Sequence, residues 1–552
     1  MAYTFKIIPA TEKCFIDERP EDKIELLSAP MLRNERYEFQ VCYYGNELGW
    51  HKVDSELEIE SDIKDFITVR RIEQVPVALT KWQDSPNEGF LRTAPGLYPD
   101  LLIPIEEQHK LIFVDNELRS LFVTVENKEG LPAGDHKITF KAMQGDTCLC
   151  SASVTLHVVD ALLPEQSLIH TQWFHYDCLS QYYDVPVFSE RFWEITETFM
   201  HEAHETGLNM ILTPTFTPPL DTYVGGERLT VQLVDVTVTD NGYEFGFEKL
   251  DRFVNMAKSC GMKYFEIAHL FTQWGCAHAP KIIAKVNGEE KKIFGWESDS
   301  HGEDYITFLR AYLTAFIAHA KELGIDQQCY FHISDEPEKQ HLESYMKAKE
   351  SVWDIIGDYH VIDALSNYEF YECGAVKNPI PSTDHIEHFL ENNVPELWTY
   401  YCTGQQTKVS NRLVAMPGAR TRILGIQLFK FDIVGFLQWG FNFYNCQFSN
   451  YPINPYIDCC GEYFVPAGDT FAVYPGPNGK PYRTLHASHF VEALTDLRLL
   501  QLCSSLVGKE RTLAIIEEGL DTPITFSEYP MEQEYQIKLR EKICAEIEKA
   551  IK

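Results

Sequence analysis

Asp335 and Glu336 stand side by side in FHISDEPEKQ (331–340), after a short apolar run and directly before Pro337. Two carboxylates at one site can divide general acid–base work, one holding a proton for a leaving group while the other stays ionised. Adjacent strand residues point to opposite faces, so a shared site requires the backbone to leave the strand here. Pro337 supplies that break, because proline suits the first turn of a helix. The competing role is local: Asp335 with Glu338 has the spacing of a capping box. The two roles pull in opposite directions. A helix N-terminus favours the ionised carboxylate. A general acid must keep its proton, which takes burial or a like-charged neighbour.

The partner chemistry follows from what the late strands lack. An ordinary retaining glycosidase needs two carboxyl groups about 5 Å apart, and an inverting one needs about 6.5–9.5 Å. The segments expected as seventh and eighth strands end in TYYCTG and GFNFY, without Asp or Glu. Asp177, Glu369 and Glu372 read as solvated loop residues. This favours a substrate that carries its own nucleophile. The carbonyl oxygen of a 2-acetamido sugar can attack its own anomeric carbon, while one carboxylate orients the amide and one protonates the leaving oxygen. Two alternatives stay open: a two-carboxylate glycosidase with its nucleophile elsewhere, and a non-catalytic carbohydrate-binding protein whose acids only cap a helix.

Aromatic and polar side chains recur near the expected strand ends: Trp173 and His175, Trp274, Trp398, Tyr400 and Tyr401, Trp439 and Tyr444. They form either a sugar-stacking wall or ordinary core packing. Asn442 can bind a sugar hydroxyl or a neighbouring loop. Asp469 and Tyr474 lie in GDTFAVYPGPNG (468–479), which reaches the site from the rim or is only a connector. HEAHE (201–205) lacks the HExxH spacing of a zinc site and reads as a solvated helix face. His332 reads as a core residue. No metal or organic cofactor is implied.

Positioning such residues needs a particular order of elements. Apolar runs at 169–177, 208–216, 262–271, 328–336, 359–368, 377–382, 395–402 and 435–444 alternate with helical patterns. Helices over 190–207, 247–261 and 304–324 each end in Gly, as a C-cap should. Eight such repeats predict an α/β fold, a (β/α)8 TIM-type barrel over 165–552 with a helical C-terminal tail. A doubly wound open sheet is the alternative, without a Gly-rich phosphate turn to support it. Residues 1–164 read instead as short alternating strands at 36–44, 111–127, 136–143 and 147–163, which predicts an N-terminal β-sandwich.

The net charge of −34 argues against nucleic acid or an anionic membrane as partner, since phosphates require Lys and Arg. MAYTFKIIPATEK lacks a charged-then-apolar leader, and no run of about 18 apolar residues appears. The 15 Cys are scattered without framework or zinc spacing, so a reducing cytoplasm is expected. The sequence leaves the oligomeric state open.

HISDEP, GFLQWGFNFY and GDTFAVYPGPNG, in that order and near those separations, resemble glycoside hydrolase family 123 and the related domain-of-unknown-function 4091 proteins over about 165–500. The resemblance implies a β-N-acetylgalactosaminidase acting on carbohydrate through the substrate's acetamido group. It implies that Asp335 orients the amide and that Glu336 is the general acid/base. Trp439, Asn442 and Asp469 fall in matching motifs and would line the sugar site.

Overall fold

The computed structural model describes residues 2–49, 52–107 and 110–552. The fold is mixed α/β. Ten strands come first: β1 (Tyr3–Pro9), β2 (Ser28–Leu32), β3 (Tyr37–Gly45), β4 (Val53–Glu60), β5 (Ile67–Val77), β6 (Gly96–Pro104), β7 (Leu111–Phe113), β8 (Leu118–Val125), β9 (Gly134–Gln144) and β10 (Thr147–Val159). They form two five-stranded sheets, ordered β1-β3-β8-β5-β6 and β2-β10-β9-β4-β7. Pairing is antiparallel except between β10 and β2. Alternate residues of both sheets, including Phe39, Val41 and Val123 from one and Ile138, Phe140 and Leu156 from the other, share one buried apolar cluster. Strand β3 is buried on both faces. Its Gln40 turns away from that cluster and donates to the carbonyls of Ala10 and Glu12.

Beyond residue 165 the strands are short and parallel: β11 (Ile169–Gln172), β12 (Met210–Thr213), then β15 (Tyr264–Ile267), β18 (Cys329–Phe331), β19 (His360–Ala364), β20 (Asn378–Ile380), β21 (Trp398–Tyr400) and β22 (Gly435–Gln438). They pair in chain order from β12 through β20, and β22 pairs with both β21 and β11. A parallel bridge from Ser382 to Tyr400 joins β20 to β21. The Asn209 amide donates to the His170 carbonyl (3.2 Å) and joins β12 to β11. Four of these eight strands are buried throughout and the other four at all but their first residue, as parallel strands covered on both faces must be.

Helices Glu190–Glu205, Glu248–Ser259 and Glu303–Glu322 fall where the periodicity placed them. Ser189 caps the first, accepting from the Phe192 amide. Gly207 follows it at φ +92, and a Cβ there would lie 2.3 Å from Leu494. The excursions after β12 and β15 were not foreseen. They carry β13 (Asp235–Thr239), β14 (Gly242–Gly246), β16 (Ile282–Val286) and β17 (Glu289–Phe294), a separate sheet ordered β14-β13-β16-β17. A hairpin, β23 (Val473–Pro475) with β24 (Pro481–Arg483), precedes the long helix Leu485–Val507. The last helix, Gln533–Ile551, buries Leu539, Ile543 and Ile547, and its Arg540 pairs with Glu35. Among the described residues no helix is long and apolar enough to cross a membrane.

Candidate active site

Strand β18 ends at Phe331, and residues 332–337 leave it without regular structure. Glu336 sits at φ +42, a left-handed conformation uncommon for a residue other than glycine. Its amide donates to the Ala364 carbonyl at the end of β19 (3.1 Å), and the Asp335 carbonyl accepts from the Trp274 amide (3.0 Å). These bonds hold the bend, so that strand alternation no longer separates the neighbouring carboxylates. Both line one cavity that is open to solvent, about 680 Å³ with the space of its mouth included. The capping expectation is corrected. Pro337 begins no helix; the next element is a single turn at Lys339–His341, preceded by Glu338. The Glu338 amide donates to His341 Nδ1 (3.1 Å), and Asp335 takes no part.

The cavity lies at the C-terminal ends of the parallel strands. Trp173 follows β11, Trp274 follows β15, Tyr400 ends β21 and Trp439 follows β22, and all four line it with the two acids. The Tyr400 hydroxyl donates to Glu336 Oε1 (2.7 Å). The Asp335 carboxylate receives no hydrogen bond from the described residues. Burial, then the Glu336 charge, pushes Asp335 well above the usual carboxylate range. Burial also raises Glu336, against the pull of the Tyr400 hydroxyl.

A buried polar layer lies beneath the pair. Glu266 of β15 accepts from Thr171 Oγ1 (2.5 Å), Trp173 Nε1 (2.8 Å) and His332 Nε2 (2.7 Å). Asp363 of β19 lies 3.4 Å from His332 Nδ1 and accepts from the amides of Ile333 (3.0 Å) and Ser334 (3.3 Å) and from the Tyr345 hydroxyl. Burial opposes a charge on His332, but Asp363 and Glu266 outweigh it and lift the imidazole to about 9. His269 stacks on His332 at 4.3 Å and is held well below the usual range by burial and by the His332 charge. Neither Glu266 nor Asp363 was singled out in the sequence. The available signal was one acid inside each apolar run, YFEIAHLF and HVIDALS, since a buried acid needs a partner.

Other expected residues stand outside the cavity lining. His175 is buried, with Nε2 at the Trp439 carbonyl (3.0 Å) and Nδ1 receiving Arg228 Nη2 (3.0 Å). Asn442 clasps the His175 backbone, accepting its amide (2.8 Å) and donating to its carbonyl (3.1 Å). Asp469 accepts from Trp439 Nε1 (2.9 Å) behind that ring, and burial lifts it to about 7. Trp398 starts β21, at the end away from the cavity, and packs on Gly435, where a Cβ would lie 2.0 Å from its ring. Tyr474, Tyr401 and Tyr444 are core residues. Asp177 is buried in a forked pair with Arg228 (2.8 and 2.7 Å) rather than solvated. Glu369 and Glu372 are exposed as expected. In HEAHE only His201 and His204 are exposed; Glu202 pairs with Arg483, and Glu205 with Arg36 and Lys128. Away from the cavity, Glu197, His201 and Cys260 bring ligand atoms within 4.8 Å of one another, the one such group among the described residues able to hold a metal ion.

The late strands bring no carboxylate to the cavity, but the loop after β12 brings Asp221, which the sequence reading passed over. Burial raises it to about 6, opposed by the Arg228 charge and the Phe448 and Ser449 backbone.

Adjacent acids with raised proton affinity, at the strand ends and among indole and phenol faces, are groups suited to glycoside hydrolysis. Residues 173–503, more than half of the chain, match the model for the glycoside hydrolase 123 catalytic domain, and the chain belongs to that family. No curated protein matches it. Among solved structures it is similar to a family 123 glycoside hydrolase from Clostridium perfringens, at 14% identity and TM-score 0.73, over 100% of this chain and 98% of that one. A family 39 glycoside hydrolase from Bacteroides cellulosilyticus WH2 aligns at 10% identity and TM-score 0.32, over 85% of this chain and 82% of that one, a likeness too distant to bear on the fold.

Proposed function

We propose that this hydrolase cleaves β-linked N-acetylhexosaminides, N-acetylgalactosaminides first among them, with retention and with the substrate's acetamido oxygen as nucleophile. The observation that carries the reading is the bent Asp335–Glu336 segment, with one carboxylate unpartnered and the other held by Tyr400. Two neighbouring acids that both hold a proton more tightly than usual titrate as a pair. An acetamido N–H donated to Asp335 favours its carboxylate and leaves a proton on Glu336. Glu336 passes it to the glycosidic oxygen as the C–O bond breaks and the acetamido carbonyl oxygen bonds to the anomeric carbon. Asp335 then balances the oxazolinium charge. Glu336, now a carboxylate, takes a proton from the water that attacks the anomeric carbon and reopens the ring. Trp173, Trp274 and Trp439 offer faces for the sugars.

The scaffold we infer is a (β/α)8 barrel with its tail over 165–552, behind a β-sandwich over 1–164. In support, the eight parallel strands neighbour one another in chain order all the way round, and the two N-terminal sheets share one core. The relative from Clostridium perfringens was described for glycolipid glycan hydrolysis, so glycolipid-derived oligosaccharides are natural substrates to try.

Asp221 gives a second reading its one specific support: a third acid in the cavity could be a protein nucleophile. A panel of aryl β-glycosides with and without the 2-acetamido group separates the two. Turnover confined to acetamido sugars is expected. Turnover of plain galactosides or glucosides with none of the acetamido sugars would sink substrate assistance.

A further inference from the structure

Asp221 and Gln273 reach the cavity from neighbouring loops, after β12 and β15. They are joined to each other. The Asp221 amide donates to Gln273 Oε1 (3.0 Å), which fixes the Gln273 amide with its nitrogen as the free donor. That nitrogen is buried without a partner, and so is Asp221 Oδ2. Gln273 is only 6% exposed. Asp221 is held at φ +40, and its carbonyl accepts from Ser449 Oγ (2.8 Å), so its loop is anchored from the far side as well. Trp274, directly after Gln273, donates its amide to the Asp335 carbonyl, which ties the pair to the acid bend.

A buried donor and a buried acceptor left unsatisfied on two residues that are bonded to each other are a cost to the fold that a ligand group can remove. A hydroxyl, which donates and accepts at once, is the group that satisfies both. Burial lifts Asp221, but only to about 6, so at neutral pH it is mostly a carboxylate and accepts.

We propose that Asp221 and Gln273 form a hydroxyl-binding subsite that holds a ring hydroxyl of the sugar whose glycosidic bond is cleaved. This rests on the part of the proposed reading that puts an N-acetylgalactosamine ring in the cavity, and not on the source of the nucleophile. Asp221 is here a recognition residue, and its loss weakens binding without removing chemistry. A site built around a substrate hydroxyl rejects the analogue lacking it far more strongly than an apolar pocket rejects an extra group.

The test measures binding, by calorimetry, of N-acetylgalactosamine thiazoline and its 3-, 4- and 6-deoxy analogues to the wild type, Asp221→Asn and Gln273→Leu, with melting temperatures to confirm folding. Asp221→Asn keeps the shape and tolerates the left-handed backbone. Expected is a loss of tenfold or more for the parent ligand in each variant, with one deoxy analogue bound equally by the wild type and Asp221→Asn. Equal affinity of the wild type and Asp221→Asn for the parent, or an equal loss for every deoxy analogue, overturns the subsite. So does failure of the wild type to bind the parent. Aryl-glycoside hydrolysis by the same proteins keeps the two proposals apart. A wild type that binds with the expected pattern yet hydrolyses nothing removes the functional reading and leaves the subsite. An Asp221→Asn enzyme that binds normally but has lost all turnover removes the subsite and makes Asp221 the nucleophile.

Discussion

Side by side and largely shielded from water, Asp335 and Glu336 each hold a proton more tightly than a free carboxyl does. The sign of the stability effect follows. Between the ordinary carboxylate range, about 4, and their raised values, the folded chain binds more protons than the unfolded chain. Stability therefore falls as pH rises through that window, and the penalty is fully present above it. Neutral isosteres relieve the penalty and remove the chemistry. Glu336→Gln should lower kcat/KM on the order of 10²–10⁴-fold, the scale of a lost general acid. It should also melt higher than the wild type at pH 7, with the gain shrinking toward pH 4. Asp335→Asn should follow the same direction. Melting curves from pH 4 to 8, beside aryl-glycoside rates, check both halves. A variant that melts lower throughout would show that the pair stabilises the fold. The pair was legible because HISDEP combines acids, a strand end and a proline. Its burial was not, because that depends on rings contributed by residues far apart in the chain.

At the scale of elements, the bend after β18 is held by its neighbours. Asp363 of β19 accepts the Ile333 and Ser334 amides, while His332 binds down to Glu266. Arg412 does the same for the other wall. Its guanidinium donates to Gln172 and Gln438 at the ends of β11 and β22, and to the carbonyls of Gly440, Gly468 and Asp469. Asp363→Asn keeps the shape but weakens the hold on both amides and on the His332 charge. Because small misplacements of reacting groups are expensive, kcat should fall on the order of 10²-fold while KM changes little. An unchanged kcat would make Asp363 a packing residue only. The parallel strands were readable because short runs carrying apolar residues alternate with helical patterns, and the weakest of them in apolar content are IHTQ of β11 and NPI of the sixth, Asn378–Ile380. Five N-terminal strands were missed, among them β1, β2, β5 and β6, where Pro9, Pro30, Pro76 and Pro99 interrupt the pattern, and β4, whose DSELEIE is nearly all polar on one face. Side-chain placement failed for a geometric reason. Trp398 and Tyr400 share a face of β21, yet only Tyr400, at its C-terminal end, reaches the cavity.

At the scale of the molecule, the N-terminal sheets are part of the catalytic unit's core. Phe15, Val75, Val77, Tyr98 and Leu101 belong to the same buried cluster as Phe192, Phe199 and Phe253 from the helices around the parallel strands. Polar ties run alongside: Lys13 Nζ donates to the Val414 carbonyl (2.6 Å), the Leu91 amide to the Ala415 carbonyl (2.9 Å), and Asp100 meets His486 Nδ1 (2.8 Å). Trp82 donates its amide to Gln406 (2.9 Å), in the segment that carries Thr403 of the cavity wall and Arg412 of its clamp. Removing 1–164 would expose those apolar side chains, each worth about 1.5–3 kcal/mol of burial, and would take the Asp100 partner from His486 Nδ1. A boundary near 164 is thus a boundary of topology rather than of stability. The fragment 165–552 should melt well below the full chain, or aggregate, and should lose at least tenfold in kcat/KM. Expressing both, with melting and hydrolysis measured side by side, decides the matter. A fragment with the full chain's melting temperature and rate would mean that the parallel-strand unit folds alone and that the N-terminal sheets serve some purpose other than holding the cavity wall.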